Sequence, residues 1–304
     1  MLLKFVSQKY LLENIWKGGQ SDLIGVNYDK CLLCILGPLK LTFIEMQQLK
    51  SIGKIFYGLG IAGIGSLQFI YAGFRPVILP IPPEATENLN FLVYLTGAIL
   101  VFAGVYIALR QNVKTISLFL GVLLMLFLVI GHLPNRLTNN PGILGVWTDA
   151  LKLLALSGGA FIISNLYAEK KNKGVLSILE KISIYGKYFF ALMLIFFGID
   201  HFLYTDFVKT LVPAWIPGEL FWTYFAGVAL IASGLAIFLN FKPRAISLLL
   251  ATMLFLWLIV LHIPRAIVAP NTDNGNEWTS VFECLAFCGI SILYPYSNKT
   301  QIIK

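Results

Sequence analysis

GSLQFIY, from Gly65 to Tyr71, returns as GIDHFLY, from Gly198 to Tyr204, and this recurrence decides the architecture. Working outward, GHLPNR at Gly131 to Arg136 returns as LHIPRA at Leu261 to Ala266. Gly97 and Gly104 match Gly227 and Gly234, and Trp147-Thr148 match Trp278-Thr279. Self-similarity at a fixed spacing predicts one unit of roughly 110 to 130 residues, duplicated and fused. The repeat says which residues correspond, but it names no reaction.

Composition sets the class. Hydrophobic residues make up 58% of the 304, charged residues only 12%, and the mean hydropathy is +0.78. Soluble domains carry about 25% charged residues, so the chain reads as an all-α integral membrane protein. Apolar runs of the length a bilayer core requires lie near Ile52 to Tyr71, Phe91 to Leu109, Thr115 to Gly131 and Trp147 to Tyr167. The second half supplies Tyr188 to Tyr204, Leu220 to Leu239, Ala245 to Leu261 and Trp278 to Tyr294. The expected fold is eight transmembrane helices arranged as two parallel-repeat four-helix bundles, over residues 46–167 and 188–304, joined by a basic linker at 168–187.

The net charge of +8 is carried mainly by the loops of one side. If the residues before the first span are cytoplasmic, that side holds Lys50, Lys54, Arg110, Lys114, the linker lysines, Lys242, Arg244 and the C-terminal lysines. The other side holds Arg75, Arg136, Lys209 and Arg265. Such asymmetry puts both termini inside. An even number of spans per unit gives the two repeats one orientation, related by an axis along the membrane normal. Basic charge spread in this way serves topology and anionic lipid, and nucleic acid is not an expected partner.

The linker AEKKNKGVLSILEK, Ala168 to Lys181, contains one short apolar stretch that suits an interfacial helix. Residues 1–45 do not match the repeat and have neither a spanning run nor a clean signal-peptide cleavage site. They read as a disordered tail or an over-extended reading frame ahead of Met46. Cys31 and Cys34 have C-x-x-C spacing but no βαβ context. Cys284 and Cys288, four apart on one helix, read as small packing residues.

The ionisable groups near the membrane fall on one side. The outer helix ends carry Gln68, Asp200, His201, His132 and His262, which include all three histidines of the chain. Asp149, Lys152 and Glu283 lie just within the ends of the fourth and eighth spans. Charged groups inside a span are costly and count as functional hypotheses. Lys152 and Glu283 each follow their matched Trp by five residues, so a pseudo-twofold packing of the halves would bring them face to face as an intramembrane ion pair. Asp149, three residues before Lys152, shares its helix face. His132 and His262 both stand in the frame His-x-Pro, where proline is expected to end the helix within about a residue. Histidine there can cap a helix, titrate near neutral pH, bind a quinone carbonyl or ligate a metal.

No two of these residues stand at a metal-ligand spacing, so no metal site is expected. Phosphate loops, nucleophile elbows and dinucleotide fingerprints are absent. The outer loops RPVILPIPPE, Arg75 to Glu84, and VKTLVPAWIPGE, Val208 to Glu219, are rich in proline and read as interfacial or re-entrant segments over the bundle mouth.

A first helix ending in GIDHF, the loop LVPAWIP, the second helix GVALIASGLAI and the basic turn FKPRA together resemble the DoxX family of small membrane proteins. The resemblance runs over nearly all of Gly53 to Tyr294, once per half, and is stronger in the second half. The first half departs from it at Leu67-Gln68, where the second has Asp200-His201. The resemblance implies four-helix units in the bacterial cytoplasmic membrane and a tie to membrane redox chemistry, with quinone as the cofactor and an extramembrane oxidoreductase as partner. It supplies no universal catalytic residues. A non-enzymatic lipid-binding, transport or scaffold role stands beside it, since no cofactor motif is present.

Overall fold

A chain that buries its backbone in lipid must satisfy every N–H and C=O internally, and apolar runs of bilayer length do so as helices. The computed structural model describes residues 43–82, 85–167 and 174–297, and among these every regular element is helical. The tail reading, Cys31, Cys34 and linker residues 168–173 lie outside the described residues. The principal helices are α1 (Phe43–Ile70), α2 (Asn90–Leu109), α3 (Lys114–Phe127), α4 (Leu133–Thr138), α5 (Thr148–Ser164) and α6 (Val175–Ser183). They continue as α7 (Gly186–Leu203), α8 (Thr205–Val208), α9 (Glu219–Phe238), α10 (Pro243–Trp257), α11 (Ile263–Val268) and α12 (Asn276–Leu293). Helix α1 already runs from Phe43, ahead of Met46.

Seven helical stretches among the described residues are long and apolar enough to cross a membrane: Asn90–Leu109, Lys114–Thr138, Leu144–Ser164, Val175–Leu203, Glu219–Phe238, Pro243–Val268 and Thr272–Tyr296. Helix α1 is not one of them, although its 28 residues exceed the length needed. Gly53, Gly58, Gly60, Gly63 and Gly65, with Lys54 and Gln68, dilute its apolar content. Those glycines instead make it a packing helix. A Cβ on Gly65 would lie 2.7 Å from the Gly97 carbonyl oxygen of α2, and one on Gly60 would lie 2.6 Å from the Phe282 carbonyl oxygen of α12. Small residues let membrane helices approach backbone to backbone.

Two helices sit at the centre. Of the most apolar part of Thr272–Tyr296, 78% is buried, and of Leu144–Ser164, 67%, against 28% for Pro243–Val268. Helix α1 packs on both α2 and α12, α5 on α3 and α7, and α7 on α9, so two of these five pairings, α1 with α12 and α5 with α7, cross between the halves. The main core therefore runs continuously from Tyr57, Ile61 and Leu156 to Phe190, Phe287 and Ile290. The small-residue faces of α1, α5, α7 and α12 let the helices of the two expected bundles pack closely across the linker. Gly158 of α5 and Gly186 of α7, for example, each face the other's carbonyl oxygen. Outward-facing Phe91, Phe102, Leu109, Leu239 and Val268 are exposed, as lipid-facing side chains are.

The expectation that proline ends the third and seventh spans is corrected. The backbone runs on through five-residue π segments, Leu128–His132 and Leu258–His262, into α4 and α11. The Leu133 N–H donates to the Leu128 carbonyl, and the Ile263 N–H to the Leu258 carbonyl. The wider turn gives room to a proline ring that would clash in an α-helix. Each histidine thus occupies the last position of a π segment inside a continuous helical rod.

At the opposite end, α6 forms within the linker. Its Glu180 lies 2.5 Å from Lys114 of α3, while Val175 and Ile178 stay exposed. Lys54 donates to the Arg110 carbonyl there. This is the lysine end of the molecule, and the other is the histidine end.

Candidate functional site

The centre of the histidine end is an ion network built on α5 and α12. Lys152 Nζ lies 3.1 Å from Glu283 Oε2 and 3.4 Å from Asp149 Oδ1, and Arg136 of α4 lies 3.8 Å from Asp149 Oδ2. The Glu283 side chain is 5% exposed, so an unpaired charge there would be strongly destabilising. The aligned charges run Arg136, Asp149, Lys152, Glu283, alternating in sign. The ammonium also stands 6.0 Å from the centre of the Phe197 ring on α7, a cation–π contact that brings a fourth helix into the network.

Helices α11 and α12 make a second pair that sequence reasoning did not single out. Arg265 grips Glu277 through two hydrogen bonds, Nε at 3.1 Å and an Nη at 2.5 Å. A bidentate pair is the strongest form of such a contact. Its sequence signal was the placement of Glu277 directly before Trp278, close to the position Asp149 holds beside Trp147. His262 lies within electrostatic reach of Lys152, Arg265 and Glu277, and His132 within reach of Arg136 and Asp149. Each π segment thus delivers its histidine to the rim of the ion network.

His132 is fully buried. Its Nε2 pairs at 3.2 Å with the carbonyl oxygen of Val77 in the loop after α1, and Nδ1 has no partner. That loop is seated in the protein rather than lying on a membrane surface. Phe74, Val77 and Ile78 are buried, and Arg75 is 1% exposed and donates to the Asn274 carbonyl at 2.6 Å. The Tyr71 hydroxyl donates to the Pro270 carbonyl, and its ring packs under the guanidinium. Burial draws the Arg75 guanidinium below its ordinary pKa, and Tyr71 works against that. The second proline-rich loop differs, since Trp215 is 73% exposed as an interfacial anchor would be.

The remaining site residues sit at the ends of α1 and α7. Gln68 is fully buried and contacts Thr96 of α2, whose hydroxyl lies 3.4 Å from Oε1, while Nε2 has no partner. His201 Nδ1 donates to the Phe197 carbonyl at 2.7 Å, which fixes the lone pair on Nε2. Asp200 is 7% exposed, and neither carboxylate oxygen has a partner. The structure therefore joins Lys152, Glu283, Asp149 and Arg136 in one network, while His132 at the same end pairs with the Val77 carbonyl instead. Gln68, Asp200 and His201 lie at the same end on helices of their own.

Other groups take packing roles. Cys284 and Cys288 are buried free thiols, with Cys284 Sγ 3.3 Å from the Leu254 carbonyl. Among the described residues, no three His, Cys, Asp or Glu side chains converge as a ligand set. An apolar groove of about 770 Å³ runs along α1 and α2 from Phe69 and Ile70 to Leu109 and Arg110.

Against known proteins, the model of a domain of unknown function (DUF8561) matches residues 190–285, which carry Asp200, His201, His262, Glu277 and Glu283. No curated protein and no solved structure matches the chain.

Proposed function

We propose that this chain is a DoxX-like multi-pass protein of the bacterial cytoplasmic membrane, with α1 as an eighth span and two interlocked four-helix units in parallel orientation. Both termini lie on the cytoplasmic, lysine side, and the histidine end sits at the outer leaflet. Its role is that of a quinone-associated component of membrane redox chemistry, serving an extramembrane oxidoreductase. One observation carries this reading. The histidine end holds Gln68 Nε2, His132 Nδ1 and both Asp200 oxygens as buried polar atoms without partners, and buried polar atoms ordinarily have partners. A quinone has two carbonyl oxygens to accept from the Gln68 amide and from a protonated Asp200, and an apolar tail suited to a lipid-facing groove. When bound, the quinone supplies the two-electron chemistry. The residues of the chain bind its head, and His201, with its Nε2 lone pair, stands ready to accept a proton.

A second reading, a non-enzymatic lipid-binding, transport or scaffold protein, is favoured by the apolar groove along α1 and α2, with Arg110 at its lysine end. Mass spectrometry of the small molecules retained after gentle detergent purification separates the two. Quinone held by the wild type and lost from His201→Ala supports the first. Phospholipid alone, equal in both samples, supports the second.

A further inference from the structure

The buried, unpartnered carboxyl group of Asp200 stands apart from the paired acids of the histidine end. Asp149 and Glu283 share Lys152, and Glu277 holds Arg265. Asp206 pairs with Lys209. Asp200 has neither an ion pair nor a hydrogen bond on either oxygen, yet it is 7% exposed. Of the ionisable groups on the helices around it, Lys152 is engaged by two carboxylates and His201 by the Phe197 carbonyl. Glu219 stands in the first turn of α9 and could only repel a carboxylate.

An ionised, unpaired carboxylate in an apolar interior is among the costliest arrangements a protein can hold, and such a group neutralises instead. The matching position in the first half shows what packing alone asks for, since Leu67 fills it at 4% exposure. Asp200 is therefore not required for the helix to pack.

We infer that Asp200 stands as a neutral carboxylic acid whose O–H donates a hydrogen bond to a carbonyl oxygen of an amphiphilic ligand. This rests on the quinone reading above and assigns the ligand's carbonyl oxygen to a particular donor. A carboxylic acid kept neutral by an apolar site is a strong donor toward an oxygen that gains negative charge. A ketone or quinone oxygen is such an acceptor. His201, next in the chain, faces about 100° away around the helix. Its Cβ lies against Gly227 of α9, so it reaches the ligand from a different side.

The test is infrared spectroscopy of the full chain, with and without a short-chain ubiquinone analogue. The wild type is expected to show the carbonyl stretch of a protonated carboxylic acid, and this band is lost in Asp200→Asn. Adding the analogue is expected to shift the band to lower frequency, and Asp200→Asn is expected to lack that response. A band abolished by the substitution but unmoved by the analogue keeps the neutral acid and overturns quinone as its ligand. A spectrum unchanged by Asp200→Asn overturns the neutral acid itself. Asp200→Leu provides a second variant that carries the residue of the first half. It is expected to fold and to lose the same band. Failure of Asp200→Leu to fold would show a structural demand for the carboxyl group and would overturn the inference.

Discussion

Helices α1 and α7 meet their neighbours through the same glycine contacts and diverge in the last turn. A Cβ on Gly198 would lie 2.7 Å from the Gly227 carbonyl oxygen, just as one on Gly65 would lie 2.7 Å from that of Gly97. Gly97 faces the Cβ of Gln68, and Gly227 faces the Cβ of His201. Phe69 stacks on Tyr94 as Phe202 stacks on Tyr224, with ring centres 5.6 and 5.4 Å apart. Between these shared contacts, one helix places Leu67 and Gln68 and the other Asp200 and His201. Glycine approach and ring stacking hold the backbone in place, which leaves the polar side chains of the tip free to differ. On the proposed reading, the half that binds the ligand is the one that carries a buried, unpaired acid at the cost of stability.

The largest effect is expected where the two halves share a charge. Lys152→Met strands Glu283 without its cation and is expected to cost ~3–5 kcal/mol, whereas Lys152→Met with Glu283→Leu regains most of that. Denaturant unfolding in detergent measures both. A single-variant loss below about 1 kcal/mol, the worth of an exposed pair, would mean the halves are not tied there.

Next come the glycine contacts. A Cβ at Gly104 runs into the Gly58 carbonyl and the Ala62 backbone, whereas at Gly234 the backbone gives more room, with the Ala191 carbonyl oxygen 2.8 Å away and an Ile195 side chain that can move. Gly104→Ala is therefore expected to cost ~2–3 kcal/mol and Gly234→Ala about half as much. Equal losses would break the distinction between the two halves.

Asp200→Leu removes the desolvation cost and is expected to stabilise the protein by ~1–2 kcal/mol while abolishing ligand retention. Leu67→Asp is expected to lower stability by a similar amount. A destabilised Asp200→Leu would place the acid in a structural role.

The smallest effect is expected outside the spans. The hydrogen bond and charge of Lys209 hold the Asp206 carboxyl below the usual range, and both groups are exposed to solvent. A carboxyl group lowered on folding adds stability above its unfolded value and loses it as pH falls through its folded value. Lys209→Ala should let Asp206 titrate upward by NMR and lower the unfolding midpoint at neutral pH only slightly, as loss of an exposed pair does.

Much of this arrangement was legible in sequence, for identifiable reasons. Hydropathy marks helices of bilayer length, and the matched positions after Trp147 and Trp278 put Lys152 opposite Glu283. Three features were not legible. Proline at 134 and 264 looked like a stop because the π turn that accommodates it leaves no compositional trace. The Arg75 loop looked interfacial because its prolines and apolar residues suit a membrane surface as well as a protein interior. The interlocking of α1 with α12 depends on Gly53, Gly60 and Gly63, whose partners lie more than two hundred residues away along the chain, beyond any local pattern.

The most direct test is photolabelling of the full chain in native-lipid vesicles with an azidoquinone, followed by peptide mass spectrometry. The account predicts label in the last turn of α7 and the first turns of α9, around Asp200, His201 and Gly227, and loss of that label in Asp200→Leu. Label confined to the matched tip of α1 and α2, or to the lysine end, would contradict it.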